Sequence, residues 1–153
     1  LPDEQAAAEA ALSLLTETLS GAHLIHDVGY LASGRTASYE QTVICNELIG
    51  WIKRFAQGVE VSDETLALDL IDEIGPDGQF LGIAHTSAHY REDWYPQLFD
   101  RQHPDNWEAA GSATLRERAN AHARKLLAEH APEPLPDDTL AELDRIVERA
   151  AAR

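Results

Sequence analysis

Residues 21–54, GAHLIHDVGYLASGRTASYEQTVICNELIGWIKR, decide the fold class of this 153-residue chain. From Ala22 to Leu31 the side chains alternate, so that Leu24, His26, Val28 and Tyr30 share one face and His23, Ile25 and Asp27 the other, which is the two-residue period of a strand. A glycine-containing loop follows. From Ser38 to Gly58 a helix carries Ile44, Leu48, Trp51, Ile52 and Phe55 on one side, opposite Glu40, Glu47, Lys53 and Arg54. Strand, loop and amphipathic helix in that order make a βα unit, and barrel enzymes place polar groups at the carboxyl end of such a strand. His26, Asp27 and Tyr30 occupy that end. Because neighbours along a strand point to opposite faces, the alternation parts Asp27 from His26 and leaves His26 with Tyr30.

Helices dominate on either side of this unit. Pro2, Asp3 and Glu4 suit a first turn, and Ala8, Ala11, Leu12, Leu15 and Leu19 form a stripe that Gly21 ends. Ser62 caps a helix with Ala67, Leu70, Ile71 and Ile74 on its buried side, stopped by Gly75-Pro76-Asp77-Gly78. Phe80 to Ile83 is expected to be extended, His85 to Trp94 a short helix, and Pro104 to Ser112 a turn-rich link. A further helix turns Leu115, Ala119, His122, Leu126 and Leu127 inward. The prolines between Ala131 and Pro136 deny helix hydrogen bonds and make an extended spacer, after which Leu140, Leu143, Ile146 and Val147 line a C-terminal helical arm. The expected fold class is mainly α with one or two short strands. The chain divides into a helix-strand-helix portion (1–58), a helical extension (59–131) and the spacer with its arm (132–153). A lone strand followed by a helix reads as a piece of a larger parallel sheet, because parallel strands need neighbours.

Twelve Lys and Arg against twenty-seven Asp and Glu leave a net charge of -15, which repels phosphate backbones and anionic lipid. Neither nucleic acid nor a membrane is an expected partner. The single Cys45 lies in an apolar helix and reads as a buried small hydrophobe in a cytoplasmic protein without disulfides. The chain begins at Leu1 and has no methionine, so further sequence upstream is expected.

Few local motifs announce a chemistry. No GxSxG elbow, phosphate-cradling glycine loop or CxxC pair is present. His85 and His89 have the i, i+4 spacing of a metal pair, but Thr86 stands where a zincin motif needs Glu and local spacing supplies no third ligand; no metal is assigned. Tyr90, Trp94, Tyr95, Phe99 and Trp107 crowd one segment. They suit either packing of an irregular stretch or a cage for a quaternary ammonium.

Four segments, GAHLIHDVGYLASG, SYEQTVICNELIGWIKRF, GVEVSDETLALDLIDEIGPDGQFL and HYREDWYPQLFDR, together resemble the C-terminal part of the trimethylamine methyltransferase family. The resemblance covers essentially the whole chain. It implies a (β/α)8 barrel about three times as long as this chain, of which this would be the last portion followed by a helical extension. It also implies transfer of a methyl group from trimethylamine or a quaternary amine such as a betaine to the Co(I) of a separate corrinoid protein. The chain itself would bind no cofactor directly. Some family members hold pyrrolysine, at a position that would lie upstream of Leu1. On this resemblance His26 would bind a polar end of the substrate such as a carboxylate, Tyr30 would line the same pocket, and Tyr39 and Glu40 would edge it.

Two alternatives stand beside that reading. His26 and Tyr30 could satisfy each other or backbone groups at a strand end, as buried polar groups routinely do. The chain could also be a non-catalytic acidic helical interaction module whose arm docks on a partner, a homo-oligomer being one such arrangement.

Overall fold

Three side-chain caps set the frame of this computed structural model, which describes residues 2–152. Asp3 accepts the N–H of Ala6 and opens α1 (Glu4–Leu19). After a hairpin of β1 (Tyr30–Leu31) and β2 (Thr36–Ala37), Ser38 accepts the N–H of Gln41 and opens α2 (Tyr39–Ala56). Short elements follow: α3 (Asp63–Leu66), α4 (Leu68–Ile74), α5 (Ala84–His89) and α6 (Pro104–Ala109). Thr114 and Glu117 then form a reciprocal capping box on α7 (Leu115–Glu129), and α8 (Asp137–Ala151) closes the chain. Each side-chain cap is worth about 1 kcal/mol, which places the helix starts where the sequence puts Ser, Thr and Asp.

The fold is mainly helical with one two-stranded antiparallel sheet, Tyr30 opposite Ala37 and Leu31 opposite Thr36. The strand expected over Ala22 to Leu31 is therefore corrected to its last two residues. Asp27 takes φ of 65° and Gly29 of 83°, and a left-handed residue cannot continue a strand. The alternation seen in the sequence is accordingly not realised: Leu24 is exposed, whereas Ile25 and Val28, assigned to opposite faces, both pack on the core.

α2 is the central element and packs against both α1 and α7. Leu14, Ile44, Cys45, Leu48, Ile52, Leu98 and Ala119 form the core, with Ile44 only 2% exposed. Complete burial of one such side chain stabilises by about 1.5–3 kcal/mol. Small residues let the helices approach: α1 presents Ala7, Ala10 and Ala11 beside Leu14, and α7 presents Ala119 and Ala123. Several expected facings change as a result. Leu12 and Leu19 of α1, and His122, Leu126 and Leu127 of α7, are exposed; the faces that meet α2 carry Ala7, Ala10, Ala11 and Leu14 from α1 and Ala119 from α7. Glu47, expected on the polar side of α2, is buried.

Beyond α2 the secondary structure also departs from expectation. The single helix expected from Ser62 is broken at Ala67, whose φ of 47° divides α3 from α4. Phe80 to Ile83 forms a turn instead of an extended run, with the N–H of Ile83 directed to the carbonyl of Phe80. α5 stops at His89, well before Trp94. The link expected over Pro104 to Ser112 contains α6, because Pro104 sits at its first turn, where its missing N–H costs nothing.

The accessible surface is 12527 Å², against about 7,700 Å² for a compact monomer of this mass. Much apolar surface thus has no cover within the chain. α8 is the clearest case: Leu140, Leu143, Ile146 and Val147 are exposed along one face, while Arg145 and Arg149 pair with Glu142 on the other. Among the described residues no helix is long and apolar enough to cross a membrane.

Candidate functional site

A groove of about 500 Å³ lies between α1 and residues 25–34, and the left-handed turns of that segment create it. Gly29 is the pivot. A Cβ there would stand 2.0 Å from Thr42 Oγ1, so only glycine lets the loop lie against α2, and its carbonyl accepts the N–H of Ser38 at 2.9 Å. Ala32, Ser33 and Gly34 all take positive φ and turn the hairpin.

His26 and Tyr30 both line this groove, together with Asp27 and with Glu9 and Glu17 of α1. Contrary to the strand argument, His26 and Asp27 meet: His26 Nδ1 is 3.0 Å from Asp27 Oδ1. The positive φ of Asp27 swings its side chain back toward its neighbour, which strict alternation would forbid. The hydrogen bond and charge of the Asp27 carboxylate raise the His26 pKa above its ordinary value. His26 and Tyr30 share the groove without a hydrogen bond between them among the described residues.

Gln41 and Cys45, both buried, also line the groove. Gln41 Nε2 donates to the carbonyl of Ala6 at 3.2 Å, while its Oε1, on a residue only 2% exposed, has no partner among the described residues. A buried carbonyl oxygen without a donor is costly, so this atom is a natural acceptor for water or a ligand. The sequence carried a signal for it: Gln41 falls on the same stripe of α2 as Ile44, Cys45 and Leu48.

Tyr39 and Glu40 do not line the groove. Tyr39 is exposed. Glu40 joins α2 to α7: Ser38 Oγ donates to its Oε2 at 2.8 Å and Asn120 Nδ2 to its Oε1 at 2.5 Å. Those hydrogen bonds, with help from the first-turn backbone and Arg116, lower its pKa to about 2.

Two of the crowded aromatics, Trp94 and Phe99, pack on Trp51, whereas Tyr90 and Tyr95 are exposed. Trp94 stacks on Trp51 of α2 with centroids 5.7 Å apart, and Phe99 meets Trp51 edge-on at 6.0 Å. Gly50 leaves the room, since a Cβ there would lie 2.9 Å from Trp94 Nε1. The guanidinium of Arg101 sits 5.3 Å from the Trp51 ring and 5.9 Å from that of Trp94, so the chain's own cation covers this cluster. Elsewhere, His85 and His89 come together with Glu64 of α3, a third potential metal ligand that local spacing could not reveal.

The trimethylamine methyltransferase (MTTB) family model matches residues 1–153, the whole chain. The chain belongs to that family. It is 40% identical over 148 residues to trimethylamine methyltransferase MttB of Desulfitobacterium hafniense (strain DSM 10664 / DCB-2), covering 97% of this chain and 30% of the relative. It is 36% identical over 150 residues to trimethylamine methyltransferase MttB2 of Methanosarcina mazei, covering 98% of this chain and 30% of the relative. A glycine betaine methyltransferase of Desulfitobacterium hafniense (strain Y51) is 29% identical over 147 residues, covering 95% of this chain and 30% of the relative. The chain therefore spans about three-tenths of the length of these curated relatives. In this trimethylamine methyltransferase family member the groove at His26 is lined by three carboxylates, one imidazole, one phenol and the buried Gln41, whose side-chain oxygen has no partner among the described residues.

Proposed function

We propose that this chain supplies one wall of the substrate site of a methyltransferase that moves a methyl group from trimethylamine or a quaternary amine such as a betaine to the Co(I) of a separate corrinoid protein. In this reading it is the C-terminal part of a (β/α)8 barrel with a helical extension. The observation that carries the site is the charge lining of the groove: Glu9, Glu17 and Asp27 surround His26 and Tyr30.

Acidic walls attract a methylated ammonium, while protonated His26 offers a cationic donor to the carboxylate end of a betaine. Asp27 has two effects in this arrangement. It favours the imidazolium form of His26 and holds the ring by its Nδ1 side. Tyr30 adds an aromatic face and a hydroxyl at the rim. A quaternary ammonium already carries a neutral amine as leaving group, so the residues need only bind, align and desolvate it; no proton has to move. A tertiary amine is a poorer donor and needs an activating group that these residues do not provide.

The test is methyl transfer to reduced corrinoid by the protein of family length that carries this chain, with trimethylamine and several betaines compared. His26→Ala is expected to raise KM for betaines far more than for trimethylamine. Unchanged KM for every substrate would remove His26 from the site.

The exposed apolar face of α8 favours a second role, docking of the arm on a partner. Deleting residues 132–153 separates the two: loss of assembly with methyl transfer intact assigns the arm to docking alone.

A further inference from the structure

His85 and His89 lie one turn apart on α5, with ring centroids 4.4 Å apart. Glu64 faces them from α3, its Oε1 3.1 Å from His89 Nε2 and 3.7 Å from His85 Nε2. Ligands held at about 2.0–2.1 Å by a tetrahedral zinc ion stand about 3.3 Å from one another. The two gaps bracket that edge. The three ligand atoms all lie within 4.8 Å of one another, and this is the one such group among the described residues.

Two further features resemble a built site. Behind His89, Glu92 Oε1 is 2.8 Å from Nδ1, which orients the ring and leaves Nε2 turned to Glu64. A carboxylate behind a ligating imidazole is the common outer support of zinc sites and raises the basicity of the ring. The backbone carrying each ligand is pinned locally: Ser62 and Thr65 close a capping box on α3, and Thr86 Oγ1 donates to the carbonyl of Phe80 at 2.7 Å. The histidine side chains are 24% and 32% exposed, so an ion can reach them from solvent without unfolding.

We propose that Glu64, His85 and His89 bind a divalent transition-metal ion, zinc being the best match to two imidazoles and a carboxylate. Three protein ligands leave a fourth position for water. The carbonyl of Glu64, 2.9 Å from His85 Nε2, is the hydrogen-bond partner that the ion replaces. The ion ties α3 to α5 across a segment, residues 59–92, that buries no side chain in the core. A cross-link of this kind compensates for missing apolar contacts. The site lies apart from the groove at His26 and shares no lining residue with it, so the proposal is independent of the methyl-transfer reading.

The experiment is calorimetric titration of the purified, chelator-stripped protein with Zn²⁺. Co²⁺ serves as a second probe, since its visible absorption reports coordination geometry. One saturable equivalent per chain is expected, with a raised melting temperature. Glu64→Gln and the double substitution H85A/H89A are expected to abolish binding, whereas His122→Ala, on exposed α7 surface, leaves it unchanged. Glu92→Gln is expected to weaken affinity about 10- to 100-fold, as loss of outer support does. Because Glu64→Gln and Glu92→Gln preserve side-chain volume, they remain informative even if the double variant fails to fold. Absence of a saturable equivalent, or binding that survives Glu64→Gln and H85A/H89A, overturns the proposal.

Discussion

Glu47 Oε1 accepts the backbone N–H of Leu98 at 2.6 Å, joining two residues fifty-one positions apart. The same oxygen accepts from Gln97 at 2.7 Å and Phe99 at 3.2 Å. One buried carboxylate thus gathers three consecutive amides of an irregular segment and holds Leu98 in the core. Arg118 of α7 secures the other side of that segment by donating to the carbonyl of Leu98.

Removing the Glu47 carboxylate strands those amides. Glu47→Ala is expected to cost about 1–3 kcal/mol, the range for buried donors left unpaired, and to loosen Trp94 from Trp51. Glu47→Gln keeps an acceptor and is expected to cost about half as much. Urea denaturation with tryptophan fluorescence measures both; a loss for Glu47→Ala below about 0.5 kcal/mol would show that water satisfies the segment instead.

Glu40 predicts an acid-sensitive joint between α2 and α7. Its folded pKa of about 2 lies below the ordinary value of 4.5, so its contribution is complete above pH 4.5 and is lost as pH falls toward 2. Glu40→Gln is expected to flatten stability across that window. Asn120→Ala is expected to cost about 1 kcal/mol at neutral pH and less at pH 3. Stability of the variants that follows the parent's acid dependence without change would contradict this.

At Gly29 the expectation is steric. Gly29→Ala adds a Cβ 2.0 Å from Thr42 Oγ1 at a φ of 83°, and about 2–4 kcal/mol of destabilisation should follow. Gly34→Ala, also at positive φ but with nothing within 4 Å, should cost only the backbone part, about 1–2 kcal/mol. Equal losses in thermal or urea unfolding would rule out the close approach to α2.

For His26 the direction of titration is set by Asp27. The raised pKa means that the cationic ring persists to higher pH than an isolated histidine, and Asp27→Asn is expected to return it toward 6.5. An NMR pH titration of the ring protons reads this directly. On the proposed substrate role of His26, binding of betaines by the protein of family length should weaken as pH rises through that pKa, while trimethylamine lacks a carboxylate to lose.

The helices were legible because their signals are local. Ser38 and Ser62 cap helices within three residues of themselves, and Ile44, Leu48 and Ile52 occupy the buried stripe that periodicity indicated, while Trp51 and Phe55 of the same stripe are exposed. His26 and Tyr30 were placed together on a strand of which only Tyr30 and Leu31 form, yet the segment still brings both to one groove. Their grouping came from nearness in the chain, not from the pleat.

What the sequence by itself determined is therefore the four long helices, the acidic composition, the family and the segment that bears the groove. The tertiary structure decided which faces met. Alanines on α1 and α7 face α2 while Leu12, Leu19, Leu126 and Leu127 turn outward, Glu47 was buried because it answers distant amides, and Glu64 reached His85 and His89 across twenty-one residues or more. Periodicity reports only that a side chain shares a face with its neighbours three and four residues away; which distant group waits on that face is a property of the closed fold.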